Sequence, residues 1–140
     1  MLISKVNAVY STERKFIYVS CPRRFGKSMA ANMLAAYYSC GCDSAELFQA
    51  RKIEHNKTYQ EHLNQYNVIC LNMQQFLIGA NNQEVTKYLE QEVLEELWEE
   101  YGDIIRRAEI ALAAALRTIY AKTKKKFIFL IDEWDCVMRE

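Results

Sequence analysis

The sequence predicts an α/β fold built on a parallel sheet with helices over both faces. Short apolar runs at residues 15–21, 67–73 and 127–131 alternate with longer segments of helical spacing. None of the runs shows the strict period-two alternation of a half-solvated strand, so each reads as a strand buried on both sides. The chain of 140 residues is 51% hydrophobic with four Gly and one Pro, enough apolar surface for one core. That composition excludes a disordered, collagen-like or low-complexity protein.

The first ten residues, MLISKVNAVY, carry polar side chains where a secretory leader needs an apolar block, so export is not expected. Residues 15–21 (KFIYVSC) are aromatic and β-branched and stop at Pro22, which cannot donate to a sheet ladder; they read as a buried strand. A helix follows, marked by Met29, Met33, Leu34, Ala36 and Tyr37 and stopping near Gly41. Residues 43–64 are polar with weak helical character, and 67–73 (NVICLNM) give a second strand. In the segment 83–101, Val85, Leu89, Val93, Leu97 and Tyr101 recur four apart with carboxylates opposite, an amphipathic helix. Beyond Gly102 the stripe resumes through Ile105, Ala108, Leu112, Ala115, Leu116 and Ile119, as one kinked helix or two in sequence. Lys122, Lys124, Lys125 and Lys126 stand at its C-terminal end, where the helix dipole favours cations. The third strand, 127–131 (FIFLI), runs directly into Asp132, Glu133, Trp134 and Asp135.

The net charge of zero is a cancellation. Residues 1–28 hold Lys5, Arg14, Lys15, Arg23, Arg24 and Lys27 against Glu13 alone, while residues 84–103 hold eight acids against Lys87. Most of these charges read as solvated faces. No apolar run approaches the roughly 18 residues of a membrane span, so a soluble protein without a membrane partner is expected. The five cysteines, Cys21, Cys40, Cys42, Cys70 and Cys136, are odd in number, and the chain is too large to need disulfide staples; reduced thiols in the cytoplasm are expected. Cys40 and Cys42 with His55 and His62 match no familiar zinc spacing.

Two motifs carry chemistry, at the ends of the first and third strands, where open α/β sheets place ligands. Residues 21–28, CPRRFGKS, match the phosphate-binding pattern G-x-x-x-x-G-K-[ST] except that Cys21 stands in the first Gly position. Gly26 lets the backbone approach an anionic oxygen, and N–H groups from Pro22 through Met29 face it where the residue has one. Lys27 reaches the terminal phosphates, and Ser28 can ligate Mg²⁺. The bland alternative is a glycine turn followed by a helix-starting serine and an exposed lysine. Arg23 and Arg24 either clamp the phosphates or pair with Asp135 or other acids of the fold. The second motif is FIFLIDEWD, in which Asp132 can hold Mg²⁺ and Glu133 can polarise an attacking water. A strand that ends in acids is often only structural, and the upstream phosphate loop is what makes this one half of a nucleotide site. Trp134, at the phosphate end, reads as packing rather than base stacking.

The segments PRRFGKS, AAYYSCGCDSAELF, HLNQYNVICLNMQQF and KKKFIFLIDEWDCVMRE together resemble the AAA-ATPase-like family of bacterial ATPases, along nearly the whole chain. The resemblance implies a three-layer P-loop fold with Walker A at residues 21–28 and Walker B at 127–133, and ATP with Mg²⁺ as cofactors. It gives Lys27 and Ser28 to phosphate and metal, Asp132 to the metal, and Glu133 to the catalytic water. In such proteins the position of Cys21 is often basic, so Cys is a departure. Members continue into further sheet strands, an arginine finger and often a PD-(D/E)XK nuclease-like domain. The 140 residues therefore read as the N-terminal part of a larger ATPase, with its sheet incomplete at the C-terminus. Hydrolysis would then belong to the full-length protein, nucleic acid would be met only through a downstream domain, and an open edge at residues 127–131 would favour self-association. A nucleotide-gated regulatory module linked to nucleic-acid processing is the alternative. A small-molecule kinase is disfavoured, because adjacent Asp132 and Glu133 suit water activation.

Overall fold

A computed structural model describes residues 2–10, 16–18, 26–49, 58–79, 84–106 and 111–138. The chain divides into two compact units, 1–68 and 69–140.

The first unit contains helices α1 (Leu2–Tyr10), α2 (Lys27–Tyr38), α3 (Ala45–Phe48) and α4 (Tyr59–His62). Its core is aromatic: Tyr37 and Tyr38 at the end of α2 are fully buried, with Ile3, Leu34, Phe48, Tyr59, Leu63 and Tyr66. Burying two phenols requires partners for their hydroxyls. Asn7 on α1, itself fully buried, supplies them: its Nδ2 donates to Tyr37 Oη at 3.2 Å, and its Oδ1 accepts from the Tyr38 hydroxyl. Tyr37 in turn donates to the Tyr59 carbonyl at 2.7 Å. Burial above all, reinforced by Tyr59 against the Asn7 hydrogen bond, pushes the Tyr37 phenol above its usual range. The last carbonyls of α2 have no intrahelical donor. Asn64, in the left-handed region at φ 53°, turns its Nδ2 to the Ala36 and Ser39 carbonyls at 3.1 and 2.8 Å and closes that end.

Strand β1 (Asn67–Asn72) begins in the first unit and runs into the second, which adds α5 (Met73–Gly79), α6 (Val85–Tyr101), α7 (Leu112–Thr123), β2 (Phe127–Asp132) and a 3₁₀ turn (Trp134–Met138). β1 and β2 pair as a two-stranded parallel sheet, and the three helices between them form the crossover. The fold is thus mixed α/β, as the alternation of runs predicts. Ile69 and Leu71 of β1 are buried with Val93 and Leu97 of α6, Ile105, and Ala115 and Ile119 of α7. Spacings of four put each helical pair on one face. α6 stops at Tyr101 and a turn follows, so Leu112, Ala115, Leu116 and Ile119 of the stripe belong to a separate helix, α7, while Ile105 precedes it and Ala108 lies outside the described residues. A Cβ on Gly102 would lie 2.8 Å from the Trp98 carbonyl oxygen, which is why glycine occupies that exit. α7 ends on Lys124, left-handed at φ 59°, whose N–H donates to the Tyr120 carbonyl at 2.8 Å.

The buried strand expected at residues 15–21 is not found in its described part. Phe16, Ile17 and Tyr18 have no regular structure and are 89%, 41% and 79% exposed. β-branched and aromatic composition expresses fitness for a covered, ladder-paired surface, and without such a surface it does not make a strand. β2 also departs from full coverage, since Phe129 and Ile131 are exposed while Phe127 packs on the core. No described helix is long and apolar enough to cross a membrane.

Cys70 in β1 is chemically distinctive. Desolvation first, and the Glu96 carboxylate second, push its thiol above the usual value. Only the thiolate is nucleophilic, so Cys70 should alkylate slowly at pH 8 and gain rate only at a pH above that of an ordinary thiol. In a pH–rate profile with iodoacetamide read by peptide mass spectrometry, Glu96→Gln should shift the Cys70 curve to lower pH.

Candidate functional site

Gly26, Lys27, Ser28 and Met29 lie together at the entry to α2. Gly26 is the N-cap, with φ 79° and ψ 28°, a left-handed conformation that a side chain would strain. The helix's own ladder begins where the Ala30 N–H donates to the Gly26 carbonyl at 2.9 Å. The N–H groups before Ala30 are therefore the ones an α-helix leaves to outside acceptors, and Gly26 brings no side chain to cap them. No acidic residue occupies this first turn, so no carboxylate of the turn itself offsets the positive end of the helix dipole. Lys27 is half-buried, while Gly26, Ser28 and Met29 are exposed, Met29 at 77%. The glycine kink thus opens a twelve-residue helix with a lysine and a hydroxyl in its first turn, an arrangement able to receive an anion. Cys21, Pro22, Arg23, Arg24 and Phe25 lie outside the described residues.

Asp132 and Glu133 are adjacent at the C-terminal end of β2, in the second unit. Both are half-buried. Asp132 closes the strand, and its Oδ1 accepts the Glu133 N–H at 2.9 Å. Glu133 itself is left-handed, φ 54°, a conformation that costs a non-glycine residue about 1–2 kcal/mol. The bond to the Asp132 carboxylate offsets part of that cost. It also swings the chain out of the strand into the 3₁₀ turn, whose Cys136 N–H returns to the Glu133 carbonyl at 3.1 Å. Trp134, the first residue of the turn, is 47% exposed. The left-handed Glu133 was not legible in the sequence, because glutamate is not a residue that signals positive φ. The two motifs belong to different units.

Against known proteins, residues 3–140 match the family AAA-ATPase_like, described as "Predicted AAA-ATPase". Neither the curated proteins nor the solved structures contain a match. The family match spans both motifs and both units, and so the chain belongs to the AAA-ATPase-like family.

Proposed function

We propose that the chain is the ATP-binding part of a Mg²⁺-dependent P-loop ATPase of the cytoplasm, with a three-layer fold in the complete domain. The observation that carries this reading is the left-handed Gly26 opening α2 directly into Lys27 and Ser28. A phosphate loop needs its backbone turned toward the ligand at that glycine and its lysine in the first helical turn. Pro22, Arg23, Arg24 and Phe25 would complete the cradle with Gly26 and Met29, and Lys27 would neutralise the terminal phosphates. The Ser28 hydroxyl and the Asp132 carboxylate would each offer a hard oxygen ligand of the kind Mg²⁺ takes, so the chemistry of each residue fits it. Bound there with nucleotide, Mg²⁺ would supply neutralisation of the charge that develops on the phosphate oxygens.

Glu133 would act as the general base, accepting the proton of a water that attacks the terminal phosphorus in line with the departing diphosphate oxygen. Its carboxylate is the second acid of the strand end, and the hydrogen bond from its N–H to Asp132 holds its backbone in place. General-base catalysis contributes about 10² to 10⁴ in rate. In Glu133→Gln, measured in the full-length protein, phosphate release should therefore fall by at least about 100-fold while Mg·ATP binding persists. Unchanged release would overturn the base assignment. No release from either form, with nucleotide bound by both, would favour a nucleotide-gated binding module.

A further inference from the structure

α2 ends at Tyr38, and the next four residues form a tight turn in which the Cys42 N–H donates to the Ser39 carbonyl at 3.2 Å. Cys40 and Cys42 are the second and fourth residues of that turn, separated by Gly41 alone. Two residues so placed in one reversal fall within the roughly 4.4–6.8 Å Cα separation that a disulfide spans. The turn is pinned on both sides: the Cys40 N–H donates to the Tyr66 carbonyl at 2.8 Å and the Gly41 N–H to Ser39 Oγ at 3.3 Å. Both thiols are free, with Cys42 exposed and Cys40 half-buried. The Cys40 thiol is also held: its Sγ donates to Asn67 Oδ1 at 3.2 Å, on the first residue of β1.

We propose that Cys40 and Cys42 are a redox-active dithiol that closes a disulfide across Gly41 by exchange with a low-molecular-weight disulfide of the glutathione type. The exposed Cys42, as thiolate, attacks one sulfur of the small disulfide, whose S–S bond breaks and releases one small thiol. Cys40 then gives up its proton to solvent and attacks Cys42 Sγ, and the mixed S–S bond breaks and releases the second small thiol. The two cysteines are oxidised, and the small disulfide is reduced to two thiols. Closing the ring requires Cys40 Sγ to leave Asn67 Oδ1, so oxidation removes a side-chain tie between the turn after α2 and the start of β1. The inference is independent of the nucleotide reading, since it uses none of the residues assigned there.

The test uses the intact protein, equilibrated with oxidised and reduced glutathione, quenched by alkylation and digested with trypsin. Trypsin releases residues 28–51 as one peptide that contains both cysteines and no other. The expected product is that peptide lighter by two hydrogens and carrying no alkyl group or glutathione, reverting on dithiothreitol. Cys42→Ser should abolish it. The proposal is overturned if the wild-type peptide carries two alkyl groups throughout the glutathione series. Stable glutathione adducts on both thiols overturn it too, as does linkage of Cys40 or Cys42 to a peptide containing Cys21, Cys70 or Cys136.

Discussion

Lys27→Ala is expected to lower Mg·ATP affinity by roughly 10- to 100-fold in calorimetric titration. Hydrogen bonds to a charged partner contribute about 1.5–3 kcal/mol each, and a terminal phosphate that loses the ammonium loses at least one. Lys27 sits half-buried in the first turn of α2 with no carboxylate beside it in that turn, so the substitution removes positive charge where the helix dipole already adds to it. Lys27→Arg should recover part of the loss, because charge returns while the guanidinium is larger and planar. Wild-type affinity in Lys27→Ala would mean that the phosphate assignment is wrong and that the Gly26 kink serves only to start a helix.

The largest stability effect is expected at Ile119. Its side chain is fully buried beside Ala115 and among Ile69, Leu71, Val93 and Leu97, and truncation to alanine leaves a cavity there. Large-to-small changes of this kind cost about 2–5 kcal/mol, a large share of the roughly 5–15 kcal/mol by which a domain is stable. Urea unfolding followed by circular dichroism should show a midpoint well below wild type. Met29→Ala, at a side chain that is 77% exposed, should leave the midpoint within error. Equal midpoints for Ile119→Ala and wild type would mean that Ile119 is not in the core.

Much of this architecture was readable from residue patterns because local and tertiary demands agree. Val85, Leu89, Val93 and Leu97 repeat at helical spacing and do build α6, and the glycine after Tyr101 does end it. The runs NVICLN and FIFLID become β1 and β2 to within one residue of the boundaries the apolar pattern suggests. Elsewhere the pattern misleads or is silent. Residues 16–18 have strand composition and no strand, since pairing partners lie outside the reach of local sequence. α1 was invisible because its inward face includes Asn7, whose burial makes sense only once the Tyr37 and Tyr38 hydroxyls are beside it. α5 follows β1 with no intervening turn residue, so nothing marks the change from strand to helix at Met73. At the candidate site, Gly26 and the acids at the end of β2 were legible as motif letters. The backbone bend at Glu133 was not.

The parallel pairing of β1 with β2 also bears on the order in which the second unit acquires its structure. Roughly 50 residues separate Asn72 from Phe127, so joining the strands in an otherwise open chain costs about 3.5 kcal/mol of loop-closure entropy. α6 and α7 are near neighbours in the sequence and pack on each other, so their contact closes a much shorter loop. Once they have docked, most of the intervening chain is already compact and the remaining closure is small. The helical pair is thus the natural nucleus, and strand pairing the late event. Amide protection during refolding should appear in α6 and α7 before it appears in β2, and the acids at the end of that strand take up their positions last.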